Sequence, residues 1–228
     1  MRGHEAVGPV DHVNPHHGTF PQVVAEGKVT VAHGNGTREG SMLNDLQQRK
    51  LTHLFTLLDV DDDGTIDKMD YTASADRLVN AFGFAPGSTQ SQRVRDRYAR
   101  LWDEVTLPMD ADGDERVELK EFMAGFYRFV TQPEAGYHTH VAPVADAFYD
   151  LMDTDGDGRI TRTEYLRMAA SAFRMSEANA AAAFERLDLD GNGSLSRQEL
   201  HMANEQFFRS PDAESHGNWL FGPLHTQN

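Results

Sequence analysis

Cysteine is absent from the 228-residue sequence. A disulfide framework, a thiol nucleophile and a Cys-ligated zinc site are therefore excluded, and a reducing compartment fits. No apolar run approaches the roughly 18 residues that a membrane-spanning helix needs. The N-terminus lacks a charged segment followed by an apolar stretch, so no secretory signal is expected. The expectation is a cytoplasmic monomer without a membrane partner. Positive charge is scarce as well: 21 Lys and Arg stand against 36 Asp and Glu, for a net charge of -15. Such a chain repels nucleic acid and anionic lipid. Neither a nucleophile–base constellation nor a phosphate-cradling glycine loop is present, so the chain does not read as an enzyme.

What the sequence does contain is acid in a fixed arrangement. Residues 1–41 hold Pro9, Pro15 and Pro21 and five of the eleven histidines, with no helical periodicity; they read as a disordered arm. From Leu43 the pattern turns helical. Leu43, Leu46, Leu51, Leu54, Phe55 and Leu58 recur at three-and-four spacing and end at an acidic segment. The same sequence of events follows three more times, led by Val94, Tyr98, Leu101, Trp102 and Val105, then by Val144, Phe148, Leu151 and Met152, then by Ala180, Phe184 and Leu187 after Ser176 as N-cap. A Pro- and Gly-containing linker over 131–143 separates two helical halves, 42–130 and 144–228.

The acidic segments have the chemistry of a hard-cation loop. An ion such as Ca²⁺ takes six to eight oxygens, which a 12-residue loop supplies from positions 1, 3, 5, 7 (through its carbonyl), 9 and 12, with glycine at 6 for the sharp turn. The third segment meets every requirement with Asp153, Asp155, Asp157, Arg159, Thr161 and Glu164 around Gly158, and so does the fourth with Asp188, Asp190, Asn192, Ser194, Ser196 and Glu199 around Gly193. The first carries Asp59, Asp61, Asp63, Thr65, Asp67 and Asp70, ending in Asp where Glu is usual. One methylene less makes bidentate reach harder and shifts that loop toward Mg²⁺, which demands a tight octahedron. The second offers Asp110, Asp112, Asp114, Arg116, Glu118 and Glu121 but has Glu115 at the glycine position. Positive φ at a residue with a Cβ costs on the order of 1 kcal/mol or more, so its occupancy stays open and the count is three or four Ca²⁺. Seventeen of the 36 acids fall at these positions, leaving 19 against 21 basic residues elsewhere.

The frame around the ligands is constant. Position 8 is Ile66, Val117, Ile160 and Leu195, always aliphatic. In paired loops these residues would meet in short antiparallel β-bridges, Ile66 with Val117 and Ile160 with Leu195. The nine methionines fit core filling better than a promiscuous groove. His138 and His140 in the linker, or His12, His16 and His17 in the arm, lack the fixed spacing of a transition-metal site. Trp102 and the segment Phe207, Phe208, Trp219 and Phe221 read as core plugs rather than a chromophore cage.

The loops identify the chain as a member of the EF-hand superfamily. Loop starts at 59, 110, 153 and 188 are unevenly spaced, the second entering helix carries Trp102, the first loop ends in Asp70, and the C-terminal segment is aromatic. In these features residues 43–224 resemble the sarcoplasmic calcium-binding proteins and their bacterial relatives of the calerythrin type. The resemblance implies an all-α fold with four hands in two pairs packed into one compact globule. It also implies Ca²⁺ at the first, third and fourth hands and a silent second. The chain departs from that rule by retaining Asp110, Asp112, Asp114, Glu118 and Glu121. The expected function is Ca²⁺ buffering or signal modulation. The alternatives are a sensor that opens an apolar groove to a target protein, and a luciferin-like small-ligand carrier of photoprotein architecture.

Crowding so many carboxylates into four loops couples folding to metal. Chelator-stripped protein is expected to show lower helicity and a lower melting temperature than the Ca²⁺-loaded form, each site held at about 100-fold its Kd adding about 2.7 kcal/mol. Identical circular-dichroism melts with and without chelator would refute the coupling.

Overall fold

Most helices start where a short polar side chain accepts backbone N–H groups that the first turn leaves free. A computed structural model describes residues 43–131 and 142–224. The arm, its histidines, and most of the linker with His138 and His140 lie outside the described residues. Helix α1 (Asp45–Leu58) is capped by Asn44, whose side chain accepts from Gln47 N while the Gln47 side chain accepts from Asn44 N. Helix α3 (Thr89–Leu101) starts on Ser88; α7 (Glu177–Leu187) starts on Ser176, the cap that the sequence predicts. Helices α2 (Lys68–Ala81), α6 (Arg162–Ala172) and α8 (Arg197–Arg209) start on Asp67, Thr161 and Ser196, each in a capping box closed by Asp70, Glu164 or Glu199. These helices leave the first, third and fourth loops. The ninth and twelfth loop residues are therefore also the helix cap. Helices α4 (Leu119–Thr131) and α5 (Ala142–Met152) complete the set.

The second entering helix departs from regular winding. α3 gives way to a π turn over Trp102–Thr106 and a 3₁₀ turn over Leu107–Met109. Pro108 is the cause: its ring would collide with the carbonyl four residues back in an α-helix, and it offers no N–H to continue the ladder. The apolar stripe survives the change, with Val94, Tyr98, Leu101 and Trp102 buried, while Val105 is half-buried.

The predicted bridges form. β1 (Thr65–Ile66) pairs antiparallel with β2 (Val117–Glu118), placing Ile66 opposite Val117. β3 (Ile160–Thr161) pairs with β4 (Ser194–Leu195), placing Ile160 opposite Leu195. All four aliphatic residues are 0 % exposed.

The described residues share one core across the two pairs of loops. Phe55 contacts Phe122 edge-on, Phe122 tilts against Phe126, and Phe126 stacks on Phe208 at 5.0 Å, crossing from the first pair to the second. A second crossing runs from Tyr71 through Tyr98 to Phe148, and on to Phe173 and Phe221. Met109, Met152, Met168 and Met175 are buried in the same core. No helix among the described residues is long and apolar enough to cross a membrane.

The C-terminal segment is pinned over α7 and α8. Leu220 and Phe221 are buried, Phe221 lies 4.8 Å from Phe207, and the Arg186 guanidinium covers the Trp219 ring. Buried Lys50 on α1 donates to the Gln206 and Ser210 carbonyls at the end of α8. Burial holds its ammonium down at about 8, with Asp212 pulling the other way. Gly217 marks the closest approach: a Cβ there would sit 2.3 Å from the Ala203 carbonyl oxygen and 2.8 Å from Phe207 N. These are backbone atoms of a helix and cannot swing aside. Gly217→Ala is therefore expected to destabilise the protein by about 1–3 kcal/mol, read as a lower urea midpoint. A midpoint unchanged from wild type would show that the segment is not tightly seated.

Candidate metal centres

Each loop is folded so that its first, third and twelfth carboxylates converge. The groups are Asp59, Asp61 and Asp70; Asp110, Asp112 and Glu121; Asp153, Asp155 and Glu164; and Asp188, Asp190 and Glu199. In every group, one oxygen from each residue lies within 4.8 Å of the others. Oxygens at that separation can share one hard cation held at about 2.3–2.6 Å from each. The donor set is all oxygen, which suits Ca²⁺ or Mg²⁺ rather than zinc or copper.

The twelfth residue does more than face the centre. It is buried in all four loops, and its two oxygens bridge the loop. One accepts from the second residue's N–H: Val60 at 2.8 Å, Ala111 at 3.0 Å, Thr154 at 2.8 Å and Leu189 at 2.9 Å. The other accepts from the ninth residue's N–H: Asp67, Glu118, Thr161 and Ser196, all at 2.8–2.9 Å. Asp70, although a methylene shorter, makes both bonds. The first residue binds the turn in the same uniform way, accepting from the sixth N–H: Gly64, Glu115, Gly158 and Gly193, at 2.8–3.0 Å.

Glu115 thus takes the glycine's place in full. Its φ is 62°, beside 89°, 80° and 83° at Gly64, Gly158 and Gly193. A Cβ at any of those three glycines would meet nothing within 4 Å. What Glu115 costs its loop is therefore backbone conformation alone. The fourth position has the same requirement, which was not read from the sequence although a signal was there. Gly113, Gly156 and Gly191 recur at it with positive φ, and Asp62 adopts 58° in the first loop, a conformation that Asp tolerates better than most residues.

The remaining predicted acids fall outside these converging groups and are engaged locally. The fifth-position side chains accept from the seventh N–H: Asp63 from Thr65, Asp114 from Arg116, Asp157 from Arg159 and Asn192 from Ser194. At the ninth position Asp67 caps α2, while the Thr161 and Ser196 hydroxyls donate to Glu164 and Glu199. Glu118 turns away to Lys120 at 2.8 Å. The converging charges strain one another. Asp114, with burial, Glu121 and Asp110 adding, raises the Asp112 carboxyl. Burial raises Asp70 against its backbone hydrogen bonds. Burial also pushes Glu164 up, but hydrogen bonds from Thr154 and Thr161 outweigh it and the net shift is downward.

Two arginine side chains reach the first loop from outside it, and neither was legible in the sequence. Arg116 of the second loop contacts Asp63 and Thr65. Arg174, in a left-handed conformation after α6, donates to the carbonyls of Thr56 at 2.8 Å and Asp59 at 3.2 Å, closing the C-terminal end of α1.

Known proteins share these features. An EF hand model matches residues 146–169 and 180–202, and an EF-hand domain pair model matches 40–77. Calerythrin from Saccharopolyspora erythraea is 27 % identical over 138 residues, 60 % of this chain and 77 % of that protein. A solved calcium-binding protein of Streptomyces coelicolor, associated with prokaryotic calcium-mediated regulation, is 31 % identical with a TM-score of 0.60. It covers 73 % of this chain and 99 % of its own. The coelenterazine-binding protein of Renilla muelleri has a TM-score of 0.65 at 22 % identity, covering 80 % of this chain and 100 % of its own. That last likeness is one of fold.

The strain at position 115 is testable. Glu115→Gly is expected to stabilise the chelator-treated protein by on the order of 1 kcal/mol, because the backbone geometry is kept and its penalty removed. Denaturant unfolding measures it; a loss of stability would mean that the Glu115 side chain contributes contacts that outweigh its strain.

Proposed function

We propose that the chain, which belongs to the EF-hand family among its calerythrin-like calcium-binding proteins, serves as a Ca²⁺ buffer or signal modulator. The family is one of ion-binding proteins rather than enzymes. The observation that carries the reading is the convergence of the first, third and twelfth carboxylates in all four loops, with the loops coupled in pairs by buried β-bridges. Positions 1, 3, 5, 7, 9 and 12 of each loop would hold the ion, the seventh through its carbonyl. The bound cation supplies positive charge to the crowded carboxylates and fixes the loop. The second loop keeps the carboxylate bonds from its second, sixth, seventh and ninth N–H groups despite Glu115, which supports four ions rather than three. Asp70 at the end of the first loop supports a relative preference there for Mg²⁺.

A buffer reading is favoured over a groove-opening sensor by where the apolar side chains lie. The large apolar residues exposed among the described residues are Met69 and Leu189, which stand apart in the first and fourth loops. The rings that a sensor would uncover are stacked across the two pairs. The sensor reading draws on the Streptomyces coelicolor relative. Carriage of a luciferin-like ligand has less support, since Tyr71 packs against both Tyr98 and Trp102 and its hydroxyl meets Thr106.

The test is a calorimetric Ca²⁺ titration of chelator-stripped protein, with and without millimolar Mg²⁺. Submicromolar sites weakened by Mg²⁺, numbering close to four, are expected. Micromolar sites indifferent to Mg²⁺, together with Ca²⁺-induced binding of a hydrophobic dye, would replace the buffer with a sensor.

A further inference from the structure

The two loops of the first pair are joined by a contact that the second pair lacks. Arg116 is the seventh residue of the second loop, and its side chain crosses the β1–β2 bridge. Its Nε and Nη2 donate to Thr65 Oγ1 at 3.1 and 2.8 Å, and Nη2 also donates to Asp63 Oδ2. Asp63 is the fifth residue of the first loop. Its other oxygen, Oδ1, is already taken by the Thr65 N–H and hydroxyl. The oxygen left for a metal is the one that the guanidinium holds.

The other loops differ at this point. Asp114 and Asp157 accept the seventh-position N–H through Oδ1, and their Oδ2 atoms meet no cation among the described residues. Ser194 occupies the fourth loop's place corresponding to Arg116; Arg159, the third loop's seventh residue, acts on Asp190 of the fourth only through its charge, without an ion pair among the described residues. Arg116 is therefore not a general feature of the loop frame.

We propose that the Arg116 side chain is an internal counter-cation of the first loop, competing with Ca²⁺ for Asp63 and linking the two sites of the first pair. This rests on the chain binding Ca²⁺ through its loops, as proposed above. One residue serves both sites: its carbonyl stands at the seventh ligand position of the second loop, and its guanidinium holds a fifth-position ligand of the first. Filling the first loop requires Oδ2 of Asp63 to leave the guanidinium. Anchoring of the Arg116 backbone in the second loop sets how readily that exchange occurs. The contact is half-exposed, with side chains 45 % and 39 % accessible, so its effect is modest. Exposed ion pairs of this kind correspond to about a two- to fivefold change in an equilibrium constant.

The experiment uses the ¹⁵N-labelled full chain, titrated through Ca²⁺ buffers. The amides of Gly64, Gly158 and Gly193, each hydrogen-bonded to the first ligand of its own loop, report the first, third and fourth sites separately. In Arg116→Gln, which leaves the carbonyl in place, the Gly64 transition is expected to move to about two- to fivefold lower free Ca²⁺. Those of Gly158 and Gly193 should stay where they are. Arg116→Lys keeps the charge without the planar fork, and its Gly64 transition should fall between the two. An unmoved or weakened Gly64 transition in Arg116→Gln overturns the proposal. So does an Arg116→Lys transition identical to wild type, which would leave only a general effect of charge. If no glycine amide of the wild type responds to Ca²⁺, it is the ion-binding reading itself that fails.

Discussion

A buried carboxylate at the twelfth position of each loop is the constraint on which the rest of the structure depends. By accepting from the second and the ninth N–H groups, it ties the start of the loop to the start of the exiting helix. The same acid is the third residue of that helix and completes its capping box in three of the four hands. Helix initiation, loop closure and assembly of the candidate centre are thus one event rather than three. That explains why Asp70 suffices in the first loop: the bridging bonds need a carboxylate at this position, and the shorter side chain still reaches both.

Once loops are closed, pairing follows from their eighth residues. Ile66, Val117, Ile160 and Leu195 are wholly buried where the two-residue strands meet, so neither loop of a pair can shift without exposing its partner's apolar side chain. The pairs are nevertheless unequal. The first loop is approached by guanidiniums from two directions, Arg116 across the bridge and Arg174 from beyond α6 at the end of α1. It also carries an exposed acid beyond its ligand positions, Asp62, which lies 3.9 Å from Arg174. Arg174 belongs to the second half of the chain, so the end of α1 is held in place by residues that fold around the other pair of loops.

Much of this was legible in the residues, and the reason is that the loop is a local object. Twelve consecutive positions contain the candidate ligands, the turn glycine, the bridge aliphatic and the helix cap, so their types can be read in place. The Ser176 cap and the bridge register are local in the same sense. What escaped was contact between distant segments. Arg174 and Thr56 are far apart in the chain, as are Lys50 and Ser210, and an arginine or lysine in an amphipathic stretch carries no mark of its partner. The π turn before the second loop is an intermediate case. Pro108 signals an interruption, but whether the chain responds by ending the helix or widening it depends on Trp102 and Leu101 finding burial on both sides of the change.

The site's hydrogen bonds and its charges pull in opposite directions, and their balance shapes what an ion can do here. The N–H groups around each centre hydrogen-bond the carboxylates and hold the loop frame together. Yet Asp112 is raised first of all by the charge of Asp114, a repulsion that hydrogen bonds lessen and a bound cation would offset. A ligand shifts a conformational equilibrium only by its differential affinity for the two states. A frame built to the ion's dimensions gives most of that affinity to the closed state itself. Opening a groove would require the ion to favour a second arrangement over this one, at the expense of the stacking of Phe126 on Phe208 and of Tyr98 against Phe148. With that core continuous through both pairs, the buffering proposed above needs no such loss, only a tightening of the fold already present.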